Sequence, residues 1–133
     1  MKKFFALFTI PAAVVENWKK TTDPAKAKAM SDDMMKAWDK WMKDHEKDIV
    51  DKGQPLGKTK RVTGQKVADV KNDLNFYVIV KADSHEAAAE LFEDHPHLQI
   101  PESSVEVMDI PEMPAQERRD SAQDRQYRHA PHA

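Results

Sequence analysis

The sequence predicts an α+β domain of βαββαβ plan, a four-stranded antiparallel sheet with helices on one face. Three observations carry that expectation. Residues 4–10 and 75–82 alternate with apolar side chains on both faces, the pattern of central strands covered on two sides. Residues 24–50, and the stretch from Ser84 to Pro96, repeat apolar residues at helical spacing. These segments follow one another as strand, helix, strand, strand, helix, strand, which is the ferredoxin-like order.

Each element has its own local reason. Phe4, Ala6, Phe8 and Ile10 share one face of the first strand, Phe5 and Leu7 the other, and Pro11 ends it. The run Met1-Lys2-Lys3-Phe4-Phe5 reads as this strand rather than as a secretory signal, because Pro11 interrupts it and no small-residue cleavage site follows. A short apolar stretch, residues 12–18, leads to Thr22-Asp23-Pro24, a strong helix start with proline at the first helical position. In the long helix Ala27, Met30, Met34, Ala37, Trp38, Trp41 and Ile49 fall within about 120° of arc. Gly53 is placed to close it. Residues 58–64 read as a polar strand at a sheet edge, and 67–73 as a polar connection. Phe76, Val78 and Val80 then oppose Tyr77 and Ile79 in the clearest strand. Ser84 caps the second helix, and Val105 and Val107 mark a last strand.

The domain is expected to span residues 1–114, leaving 115–133 as a polar tail with too little apolar surface to nucleate a core. A chain of 133 residues fits one domain that buries roughly two thirds of its unfolded surface. It has no cysteine, which excludes disulfides and thiolate chemistry and fits a cytoplasmic location. A net charge of -2, with both signs mixed along the chain, argues against nucleic-acid binding. No apolar run approaches the roughly 20 residues of a membrane helix.

Two helices cover only one face of such a sheet, yet its central strands are apolar on both. The simplest cover is the same face of a second copy, a homodimer with sheets about 10 Å apart. The tail is too polar to serve instead.

Four segments carry a resemblance: Gly53-Gln54-Pro55-Leu56-Gly57, the helix start Ala82-Asp83-Ser84-His85-Glu86-Ala87-Ala88, then His95-Pro96-His97-Leu98 and Val105-Glu106-Val107. Over about residues 2–114 the chain resembles the YCII-related proteins, in the branch of small bacterial proteins with a DGPF-type domain. The resemblance implies a dimeric α/β barrel, bacterial origin and no settled activity. Founding members carry a proposed acid/base pair, a His on the first helix and the Asp of an Asp-Pro-Phe motif. Here His95 stands where that Asp precedes proline, and His97 replaces the Phe, so the pair does not carry over intact.

The densest cluster of ionisable groups is Asp94-His95-Pro96-His97. A helix C-terminus favours the imidazolium, so His95 is expected to have a raised pKa. With Asp94 beside it, His95 is the candidate catalytic acid or base. The alternative is that His95 and His97 only cap helix carbonyls and meet solvent. His97, Trp38, Trp41 and His45 are the candidate ligand-binding residues. His45 lies within the apolar arc and is spaced to pair with Asp48, which equally describes a polar plug at a helix end. Trp38 and Trp41 with Met30 and Met34 read either as core or as an adaptable aromatic pocket. Two histidines in His-x-His do not make a metal site, and no metal or cofactor is expected. The chain has no Gly-rich phosphate loop, nucleophile elbow or His-Glu-x-x-His motif. Two function classes remain. One is a dimeric small-molecule-binding module with a cleft near the end of the second helix. The other is a small cofactor-free enzyme working through His95.

Overall fold

The computed structural model describes residues 1–112. The tail 115–133 and its expected boundary at 114 lie outside the described residues. Strand β1 (Lys2–Thr9) is followed by helices α1 (Ala12–Thr21) and α2 (Pro24–Asp44) and a 3-10 turn at Glu46–Asp48. Strands β2 (Ile49–Asp51), β3 (Thr59–Thr63), β4 (Lys66–Val70) and β5 (Leu74–Ala82) come next. Helix α3 (His85–Glu90), a 3-10 turn at Pro96–Gln99 and strand β6 (Ser104–Asp109) complete the order. Among the described residues no helix is long and apolar enough to cross a membrane.

The main sheet is four-stranded and antiparallel, in the order β2-β5-β1-β6. The two strands that are apolar on both faces are therefore the central ones, as their patterns require. This order is compatible with a ferredoxin-like fold, although α1 and a second sheet add to the six expected elements. Phe4, Ala6 and Phe8 of β1 meet Val78 and Val80 of β5 on one face, all five buried. Trp41 of α2, Ala88 of α3 and Phe92 close over them. Burying side chains of this size stabilises by about 2 kcal/mol each. On the opposite face Phe5, Leu7, Tyr77 and Ile79 stay half-buried and outside that core. Phe5 and Tyr77 stack there, with ring centroids 5.5 Å apart and planes within 7°.

Several local expectations hold for stated reasons. The Asp23 carboxylate accepts from the Lys26 amide at 3.0 Å, with Pro24 at the start of α2. The Ser84 hydroxyl accepts from the Ala87 amide at 3.0 Å to begin α3. The stretch 12–18 turns out to be part of a helix. Pro11 offers no side-chain cap, so the Asp73 carboxylate reaches across to accept from the Ala12 amide at 3.2 Å.

Three boundaries are corrected. The long helix stops at Asp44 rather than near residue 50, because Ile49 leaves it to pair opposite Val80 as the true edge strand β2. The polar strand at 58–64 does not join the main sheet. Having little to bury, β3 pairs with β4, the segment read as a connection, in a separate two-stranded sheet. Gly53 does not cap the helix. It has φ +77 and passes so close to β5 that a Cβ would overlap the Tyr77 carbonyl oxygen.

Gly53→Ala must therefore both strain the backbone and displace β5. It should cost about 3 kcal/mol in urea unfolding, whereas Gly57→Ala, which meets nothing within 4 Å, should change stability little. Equal midpoints for the two variants would show that this crossing is not tight in solution.

Candidate functional site

The chain between α3 and β6 is built around two histidines. Pro96 does not terminate an α-helix here; α3 has already ended at Glu90, and Pro96 opens the 3-10 turn. His95 is the residue before that turn, and its Nδ1 accepts from the His97 amide at 3.0 Å. The His97 Nε2 donates to the Thr9 carbonyl at 2.9 Å, fastening the turn to the end of β1. The Ser103 hydroxyl lies 2.9 Å from the His97 carbonyl and 2.7 Å from that of Ile100, and braces the other side.

The His95 ring sits in a box of aromatic side chains. Trp38 stands nearly perpendicular to it at 4.4 Å, Trp41 lies at 4.6 Å and Phe8 at 4.8 Å. His95 is 2 % exposed and His97 3 %. Burial pushes the His95 pKa down to about 3, with the neighbouring His97 and His45 as lesser causes. Burial also lowers His97, partly offset by the Thr9 and Ser104 backbone groups. The expectation of a raised His95 pKa is thus overturned: the group is not at an α-helix end, and desolvation outweighs any dipole. Because Nδ1 accepts, the single ring proton is on Nε2, which is buried with no hydrogen-bond partner among the described residues. At neutral pH this imidazole is a donor held in reserve, not a proton carrier.

The structure brings His95, His97, Trp38, Trp41 and His45 together. Trp41 anchors the group by donating from its indole nitrogen to the Leu91 carbonyl at 3.2 Å, and His45 packs on it at 4.4 Å. Asp94 is exposed and makes no hydrogen bond to His95 among the described residues. His45 and Asp48 are linked through backbone, the Asp48 amide donating to the His45 carbonyl at 2.9 Å, and not through their side chains. His85 at the start of α3 stacks on Phe4 at 5.2 Å, its Nε2 donating to the Val107 carbonyl at 2.8 Å.

The open space lies elsewhere. A groove of about 970 Å³ runs between α1, α2 and the chain at 99–102. Its apolar walls include Val14, Trp18, Met30, Met34, Met35 and Ile100. The four residues read as one possible pocket are therefore divided: Met30 and Met34 line the groove, while Trp38 and Trp41 pack on the core. Asn75 also lines it. The β1–β5 register shifts between Phe8 and Thr9 and skips Asn75, a bulge that re-aims a side chain. Its Oδ1 is buried without a partner among the described residues. Sequence reading missed α1 and Asn75 as wall residues. The apolar run after Pro11 was the one visible sign.

The two depressed histidine pKa values have a defined consequence. The unfolded chain binds protons near pH 6.5 that folded His95 refuses until about 3, so stability is full above 6.5 and falls as pH drops. Between pH 7 and 4.5 His95 alone should account for about 2 kcal/mol. Urea midpoints of wild type and His95→Phe at both pH values check this. The variant should lose less stability on acidification, and parallel losses would contradict a buried neutral His95.

In comparisons with known proteins, no family model matches the chain and no curated protein does.

Proposed function

We propose that this protein is a homodimeric small-molecule-binding module, with the groove between α1 and α2 as its site. The observation that carries this reading is the groove itself. At about 970 Å³ it falls at the upper end of the range for ligand pockets, and its walls are mainly apolar with a few polar groups. The aromatic box beside it supplies rigidity. His95 and His97 fix the turn that leads into Gln99 and Ile100 on the groove wall.

The dimer is supported by the sheet face away from the core helices, which is only half-buried among the described residues. Phe5, Leu7, Tyr77 and Ile79 form one contiguous patch, joined by Met108 opposite Phe5, and the core helices pack on the other side. A second copy against this face gives the dimeric α/β barrel implied by the YCII-related resemblance, and with it a bacterial, cytoplasmic setting. Removing α1 and the β3–β4 hairpin as additions leaves the βαββαβ order of that plan.

A second reading keeps one observation of its own. The partnerless Nε2 proton of His95 is a buried donor, costly to leave unpaired. A cofactor-free enzyme could use it to polarise a carbonyl, provided that Trp38 or Trp41 swings aside. His95→Gln would then abolish turnover without affecting groove binding.

Light scattering at micromolar concentration should give twice the chain mass, and Ile79→Lys should yield a folded monomer by placing a charge in the interface. A wild-type monomer would overturn the dimer. N-phenyl-1-naphthylamine, a neutral apolar dye, should brighten on binding. Ala13→Trp, which fills the groove from an exposed position, should abolish that signal at unchanged stability. An unaltered dye signal in Ala13→Trp would remove the groove as the site.

A further inference from the structure

We infer that the groove selects an amphiphile with a protonated amine head and an apolar body. This rests on the groove being the ligand site and specifies what it takes. Among the described residues its charged wall groups are Asp33 on α2 and Glu102 before β6, and no Lys, Arg or His lines it. That is a local bias, because the chain as a whole carries 21 basic and 23 acidic residues. Neither carboxylate forms an ion pair among the described residues. A concave apolar wall with charge of one sign concentrates ligands of the other sign.

Other wall features suit the same ligand. Trp18, 38 % exposed, presents an indole to which a cation is attracted. Glu102 has φ +60, the only positive φ of a non-glycine residue among those described. Such a conformation is unfavourable for a side chain that gains nothing from it, and it is found preferentially at ligand sites. Met30 and Met35, both exposed, give the apolar body an adaptable bed.

Three probes with one tail isolate the head group: octylammonium, 1-octanol and octanoate, each titrated to displace N-phenyl-1-naphthylamine from the full chain. Octylammonium should displace the dye at about fivefold lower concentration than octanol, with octanoate weakest, the scale of two exposed carboxylates. The preference should collapse in 1 M salt, where screening acts over roughly 3 Å. The double variant Asp33→Asn, Glu102→Gln should lose the preference while binding octanol as before. Octanoate equal to or tighter than octylammonium would overturn the charge selection and leave the groove standing. Failure of all three to displace the dye would count against the groove itself.

Discussion

Phe8 is fully buried near the end of β1, and five rings from elsewhere in the chain meet it. Trp38 lies at 5.0 Å, Phe76 and Phe92 at 5.9 Å, His95 at 4.8 Å and His97 at 5.2 Å. Most of these pairs are tilted or edge-on, the arrangement aromatic quadrupoles prefer. One side chain thereby registers α2, β5, the turns after α3 and the 95–97 segment against a single strand. Because that contact is dry, the two histidines in it are held neutral, and their roles follow from being neutral.

Histidine is an unusual choice for such a box, since an apolar ring would fill it without an orphan N–H. The hydrogen bonds explain the choice for His97. At the bulge between Phe8 and Thr9 the β1–β5 register shifts, and the Thr9 carbonyl takes a donor from His97. A phenylalanine at 97 would leave that carbonyl seeking another partner. His95 satisfies the His97 amide through Nδ1 but leaves Nε2 unmatched. The structure thus accounts for one nitrogen of His95 and not the other, and the second reading of function starts from that remainder.

What the sequence made legible was whatever depended on neighbours in the chain. The caps Asp23 and Ser84 and the two central strands needed only local spacing or composition. Ile49 misled because the same residue suits a helical arc and a three-residue edge strand, and only pairing with Val80 decides between them. The hairpin was hidden because Lys66–Val70 alternates too weakly to announce a strand. The sign of the His95 pKa shift was misjudged for a similar reason. Proximity to a helix end is visible in sequence, whereas enclosure by Trp38, Trp41 and Phe8 is not. The groove was least legible, being assembled from α1, α2 and a turn without any motif between them.

The relation between box and groove follows from the length of α2. Its 21 residues extend about 31 Å, and one apolar stripe runs along it. From Trp38 onward the stripe rests on the core, through Trp38, Trp41 and Met42. Before Ala37 it faces α1 instead, through Met30 and Met34. The composition changes with the partner. Rigid tryptophans stand where the stripe must fix a buried turn, and flexible methionines where it borders open space. A stripe meant only for packing would end with the core or be covered there by α1. Here α1 stands off far enough to leave the groove. The helix therefore places a rigid, largely buried anchor and an adaptable surface one turn apart on the same face, and in this fold the anchor is what keeps the surface in place.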